Sequence, residues 1–167
     1  MIQRTKGAQS IVFAEAPYIM SSASVVGKKE SEGPLGELFD TFDETNLFGE
    51  ETWELAEGVM QREACVRALH KANVTPEQVR YLFGGEGIAT SMGAESLQIP
   101  LFGLFGACST SGEALALAAM CVAAGYGERM LAVTSSHFGT AEKEFRFPLS
   151  YANQRPLSAQ WTVTGSG

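Results

Sequence analysis

Ile99-Pro100-Leu101-Phe102-Gly103-Leu104-Phe105, followed by Gly106-Ala107-Cys108-Ser109-Thr110-Ser111-Gly112, is the stretch on which the fold turns. The run Ile99 to Phe105 is apolar, with Pro100 and Gly106 as its punctuation, and reads as a strand buried on both faces of a parallel sheet. Ser109 to Ala124 then reads as a helix that is apolar around most of its circumference, and therefore buried. Gly125 stands where a helix takes its left-handed terminal residue. Arg129 leads into a further strand, Met130 to Ser135. Strand, helix, strand in this order makes a right-handed crossover onto a sheet.

Upstream, the same pattern repeats. Glu51 to Ala72 carries Leu55, Val59, Val66 and Leu69 at helical spacing, with Ala56 and Met60 beside them. Asn73 is the expected cap. Thr75-Pro76-Glu77-Gln78 is a capping-box pattern opening one short turn, after which Val79 to Phe83 reads as a strand ended by Gly84-Gly85-Glu86-Gly87. Thr90 to Gln98 reads as a short helix. Nearer the amino terminus, Ser10 to Phe13 reads as a strand, Lys28 to Gly36 as a polar turn, and Leu35 to Asn46 as an acidic surface segment with Phe39 and Phe42 turned inward. The tail, residues 141–167, reads as a long excursion that returns to a strand at Trp161 to Val163. A strand is expected to follow the turn Gly165-Ser166-Gly167 and none does, so the chain reads as a truncated piece, one half-domain, 1–167, of a longer protein. The fold class is α/β: a βαβαβ unit with a mixed, mostly parallel sheet covered by helices.

The totals exclude several classes of function. The 167 residues are 45% hydrophobic and 19% charged, with a formal net charge of -7 and no Lys/Arg cluster. Phosphate-driven nucleic-acid binding does not fit that balance. The three cysteines, Cys65, Cys108 and Cys121, form no CxxC pair and have no histidine at metal-ligand spacing, so neither a disulfide framework, a zinc site nor any other cofactor is expected. The longest apolar run, Ala114 to Ala124, falls short of the ~20 residues that span a bilayer. P-loop, HExxH and GxSxG patterns are absent.

Chemistry centres on Cys108. In open α/β sheets, ligands bind beyond the carboxyl ends of the strands. A thiol at a helix N-terminus feels unpaired amides and the positive end of the macrodipole, which lower its pKa from about 8.5 towards roughly 3.5–7.5. The same amides, with the hydroxyls of Ser109, Thr110 and Ser111, suit a carboxylate ligand without covalent chemistry. Against this stands the plain alternative that Cys108 is a small buried residue and Ser109 an N-cap. Gly106, Ala107 and Gly112 favour a site, because small neighbours let a ligand approach the backbone. Cys65 and Cys121, in mid-helix, read as core. A nucleophilic cysteine needs a base. His137 follows a strand end on the same side of the sheet and is the better candidate than His70, with a hydrogen-bonded structural histidine as the equal alternative. Glu86, also after a strand end, is either an orienting group or solvated. Arg146 and Arg155 flank the aromatic loop Phe145 to Tyr151, as anion partners or as part of a surface loop.

Gly33 to Asp40 (GPLGELFD), Glu51 to Glu57 (ETWELAE), Phe105 to Ser111 (FGACSTS), Thr134 to His137 (TSSH), Ala141 to Pro148 (AEKEFRFP) and Gln160 to Gly167 (QWTVTGSG) together resemble the stage V sporulation protein AD family, thiolase-fold proteins of spore-forming bacteria. The resemblance implies two similar βαβαβ halves, of which this chain is the first. It places Cys108 where thiolases and ketoacyl synthases carry the acyl-accepting cysteine. The family is associated with dipicolinic acid, a planar aromatic dianion, which it binds and helps to move into the forespore with other stage V sporulation proteins, with or without calcium. The implied site is a degenerate thiolase pocket of Cys108, Ser109, Thr110, Ser111, His137 and Glu86. The alternative is a Cys108-dependent acyltransferase or condensing enzyme with His137 as its base. A homodimer through Ile99 to Phe105 and a peripheral place at the spore inner membrane are further implications. The chain departs from the family at Gly85-Glu86-Gly87-Ile88-Ala89-Thr90, where the family tends to Gly-Asp-Leu-Leu-Asn-Gln. It also lacks the second half, from which thiolase-fold enzymes draw their remaining catalytic groups.

Overall fold

The computed structural model describes residues 5–85, 94–144, 146–148 and 151–167. Glu86 and the start of the helix expected over Thr90 to Gln98 lie outside these residues; of that helix, residues 94–97 are helical. Among the described residues, nine short strands and, besides the helical residues 94–97, four α-helices follow in order. They are β1 (Thr5–Lys6), β2 (Ser10–Ile11), β3 (Val25–Gly27), α1 (Lys28–Ser31), β4 (Thr41–Asp43), α2 (Trp53–Ala72), β5 (Tyr81–Gly85), β6 (Leu101–Leu104), α3 (Thr110–Ala123), β7 (Met130–Val133), β8 (Ser135–Ser136), α4 (Phe138–Glu144) and β9 (Gly165–Ser166).

Two ladders merge into one mixed sheet. The first is parallel, in the order β6-β5-β7; the second runs β4-β3-β9-β8, with β9 antiparallel to both of its neighbours. Thr134 lies between β7 and β8. Its N–H donates to Gly167 O (3.0 Å) and its carbonyl accepts from Gly167 N–H (3.1 Å), so the ladders run on into each other. Side chains alternate across a strand. Leu82 and Val133 therefore face α2, with which they share a core containing Cys65, Leu69, Leu97 and Ile99. Gly85 faces the other way, against Thr110 of α3. The sheet is thus the middle of three layers.

The helix ends obey local chemistry. Thr52 caps α2, its hydroxyl accepting from Leu55 N–H, and Asn73 ends it in the left-handed region (φ 53°). Thr75 N–H donates to Gln78 Oε1 (3.0 Å), closing the expected box around the short turn Pro76–Gln78. Gly125, at φ 79°, ends α3, with Tyr126 N–H reaching back to Cys121 O.

Several expectations are corrected. Strand β5 lies two residues later than expected, because Gly84 and Gly85 continue it instead of ending it. The buried face of α2 runs through Ala56, Met60, Gln61, Ala64 and Cys65, while Val66 is 44% exposed: small residues at the contact let the helix sit close to the sheet. Residues 28–31 form a helical turn, and Thr41–Asp43 a strand on which Phe42 points outward. Of Ser10 to Phe13 only Ser10 and Ile11 pair, in a hairpin with β1. The returning strand is Gly165–Ser166 and not Trp161 to Val163; residues that look like a turn fit between β3 and β8, Gly165 bringing no side chain and Ser166 a small buried one whose hydroxyl donates to Thr134 O (2.9 Å).

The largest correction concerns the deciding stretch. Strand β6 is an edge of the sheet, not a strand covered on both faces, and Phe102 and Phe105 are 48% and 80% exposed. Helix α3 buries only Thr110 and Ala114, with Leu115 open to solvent. Apolar patterning reports that a surface needs a cover, not what supplies it. An apolar cavity of about 1190 Å³ opens between α2, α3, residues 130–134 and the extended segment 11–23. No helix among the described residues is long and apolar enough to cross a membrane.

Candidate functional site

The chain leaves β6 at Leu104 and tightens at once into a single 3-10 turn, Ala107–Ser109, that feeds α3. Three local contacts shape it. Gly106 N–H donates to Thr110 Oγ1 (3.0 Å), Ser109 Oγ–H donates to Gly106 O (2.7 Å), and Ser109 N–H donates to the same carbonyl (3.0 Å). Ala107 is forced to φ 47°, a left-handed conformation that costs a residue with a Cβ about 1–2 kcal/mol. Backbone strain of this kind concentrates at functional sites.

Cys108 sits on this turn and is exposed. It occupies the second position of the helical stretch, so its own N–H and that of Ala107 precede the first residue that can find an intrahelical acceptor. Ser109 is exposed beside it. Ser111 is exposed too, and lines the large apolar cavity instead of the turn. Thr110 is buried, its hydroxyl spent on Gly106 and its methyl pressed against Gly85. It is a positioning residue for the turn, and a ligand would meet Cys108 and Ser109 first.

His137 is fully buried, with both ring nitrogens engaged. Gly139 N–H donates to Nδ1 (3.1 Å), which fixes the neutral tautomer with its proton on Nε2, and Nε2–H donates to Asn46 O (2.8 Å). Phe138 stacks on the ring at 4.9 Å and Trp53 at 6.5 Å. These contacts are those of a structural histidine; none joins it to Cys108. The other two thiols differ from Cys108. Cys121 is half-buried, and burial pushes the Cys65 thiol up to about 12.

A buried polar knot beside His137 escaped the sequence reading. Glu57 accepts from the hydroxyls of Ser135 (2.7 Å) and Thr140 (2.6 Å), and Gln61 Nε2–H donates to Ser135 Oγ (3.2 Å). The signal was present: Glu57 and Gln61 are polar residues four apart on the face of α2 that also carries Met60 and Ala64. Of the two arginines singled out, Arg146 donates to Thr162 Oγ1 (3.2 Å) and Arg155 approaches Glu142 at 3.9 Å.

A three-layer α/β unit with an exposed cysteine at this strand-to-helix turn defines a thiolase-like protein. Solved structures agree on the fold. A variant of OleA from Xanthomonas campestris superposes with a TM-score of 0.58 at 14% identity, over 92% of this chain and 56% of that one. The 3-oxoacyl-[acyl-carrier-protein] synthase III of Aquifex aeolicus VF5 gives 0.56 at 18% identity, over 89% and 51%. The priming β-ketosynthase of the R1128 polyketide pathway gives 0.57 at 18%, over 96% and 51%.

The chain belongs to the stage V sporulation protein AD (SpoVAD) family, whose model matches residues 7–167. Stage V sporulation protein AD of Bacillus subtilis (strain 168) is 42% identical over 166 residues, which are 96% of this chain and 49% of that protein. The chain therefore spans about half the length of the curated relative it matches.

Proposed function

We propose that this chain carries the Cys108 side of a degenerate thiolase-type pocket that binds dipicolinic acid and assists its uptake into the forespore. The observation that carries the reading is the open turn at Cys108 and Ser109, where amide donors precede a fourteen-residue helix. One carboxylate of the dianion docks on the Ala107 and Cys108 N–H groups, in the field of the α3 N-terminus, and the Ser109 hydroxyl adds a donor. Ser111, His137 and Glu86 belong to the wider set: Ser111 towards the apolar cavity, His137 by holding the segment after β8, and Glu86 as the next residue in sequence after β5. Calcium, the other stage V proteins, a homodimer through Ile99 to Phe105 and a peripheral place at the spore inner membrane complete the proposal. The exposed edge of β6 is what supports the dimer.

Calorimetry with dipicolinate on this chain and on the full-length relative tests the reading. Heat that diminishes when Ser109 becomes Ala supports it; no heat from either protein overturns it.

Exposure of Cys108 also favours a second reading, acyl transfer through a thioester at its sulfur. A base would have to come from elsewhere than His137, whose nitrogens are both bonded. Acyl-enzyme mass on Cys108 after incubation with an acyl-CoA would establish this reading in place of the first.

A further inference from the structure

The large apolar cavity lies in the plane of the sheet. Two stretches of backbone form its long walls: residues 129–134, which include β7, on one side, and the segment 11–23, which leads to β3, on the other. Helix α2 covers it with Ala64, Cys65 and Ala68, and α3 lies across from it with Ala114, Leu115 and Ala118. Since α2 and α3 occupy opposite faces of the sheet, the space between the two walls is sandwiched as a strand would be.

Strand register sets the width and direction of this slot. Ser166 of β9 stands between Val25 and Ser135, antiparallel to both strands. One step on, Gly167 exchanges both backbone hydrogen bonds with Thr134 (3.0 and 3.1 Å), and a Cβ built on Gly167 would stand 3.2 Å from Ala23 O. The two walls are thus one strand apart where β9 reaches them. Carried one pair further, the same register sets a residue between Val133 and Ala23, inside the slot. Backbone groups return to the same edge of a strand at every second residue. Arg129 O accepts from Arg80 N–H (2.9 Å) on the β5 edge, whereas Thr134 bonds on the β9 edge. Met130 and Ala132 therefore turn their N–H and C=O groups into the slot. A row of peptide groups facing an apolar channel is a template for strand addition.

We propose that the cavity is a docking slot for one extended peptide strand of about five residues, the length of the wall Arg129 to Val133, added antiparallel to β7 in continuation of β9. The occupant is the stretch that follows the matched region in full-length family members. The B. subtilis relative has the chain to supply it, because the 166 matched residues are 49% of its length. Alanines and Leu115 meet the strand from the two helical layers, so its side chains are apolar on both faces. Neither Ala107 nor Cys108 lines the slot, and the docking is independent of the anion site proposed at their amides.

The probe is a fluorophore-labelled synthetic peptide of about ten residues, copied from the B. subtilis protein directly after the stretch that aligns with Gly167. Saturable binding to this chain is expected by fluorescence anisotropy. Amide exchange at Met130 and Ala132 should slow about tenfold on binding, while that at Leu131, turned towards β5, stays as it was. A proline at the centre of the peptide removes a ladder donor and should weaken binding about tenfold. That change is made in the peptide, so the folding of the protein is not disturbed. Three results would each overturn the proposal. They are no saturable binding, equal binding of the proline peptide, and slow exchange at Met130 and Ala132 without peptide in a chain that sediments as a dimer, which would give the slot to a second copy.

Discussion

The methyl group of Thr110 fills the space that a side chain at Gly85 would need: a Cβ built on Gly85 would collide with Thr110 Cγ2. This contact joins the end of β5 to the start of α3, and Thr110 Oγ1 in turn holds Gly106. The absence of a side chain on one strand thus sets the position of the Cys108 turn on the next.

Gly85→Ala should therefore destabilise the fold by about 1–3 kcal/mol, the usual cost of overpacking, and lower the melting temperature by several degrees. Adding Thr110→Ser, which deletes the offending methyl but keeps the hydroxyl bond to Gly106, should recover most of the loss. Thermal denaturation of the two variants checks this. A double variant no more stable than Gly85→Ala would mean that the strand, not the helix, resents the added methyl.

The sequence disclosed what local rules govern. Periodicity placed α2 and α3 to within two residues at each end, and the ends expected at Asn73 and Gly125 hold because each satisfies a backbone group whatever lies further off; Thr52, read as part of the helix, is its N-cap. Cys108 fell on its turn because an apolar run followed by Gly-Ala-Cys-Ser has few other geometries. What stayed hidden depends on partners distant in sequence. Gly165 and Ser166 pair with Val25 and Val26, about 140 residues earlier, and nothing near them announces a strand. Ala107 takes its left-handed φ only because Gly106 is tied to both Ser109 and Thr110. Phe102 and Leu115 have the patterning of a covered core, yet stand exposed.

His137 offers a direct contrast between base and brace. His137→Ala removes two hydrogen bonds and leaves Gly139 N–H and Asn46 O without their partner, at a cost of about 2–4 kcal/mol. The alkylation rate of Cys108 in the folded variant should match that of the parent at every pH from 6 to 9. A slower reaction with a shifted pH midpoint would make His137 the partner of the thiol.

Acid sensitivity should enter through Asp40. Its carboxylate takes a charge-assisted bond from Lys71, at the end of α2, and another from Ser24 N–H (2.8 Å) just before β3. The Lys71 bond, then the Ser24 amide, hold its pKa below the ordinary 3.8. With the folded pKa below the unfolded one, the contribution is complete above about pH 4–5 and fades as pH falls through the folded value. Asp40→Asn should thus be less stable than the parent at pH 7, with the gap closing below about pH 4. Urea midpoints at a series of pH values measure it; a gap that widens in acid contradicts the assignment.

The three thiols make the most direct test of where Cys108 lies. A disulfide reagent at neutral pH should titrate one cysteine rapidly, and Cys108→Ser should abolish that phase. Cys121, half-buried on α3, should follow more slowly. Cys65 should react only on unfolding, because its burial both blocks the reagent and holds its pKa near 12, leaving almost no thiolate to attack. Raising the pH to 9 should therefore leave the Cys65 phase governed by the unfolding rate. If Cys108→Ser kept the fast phase, the turn would not be open, and the anion site argued for its amides would lose the access it requires.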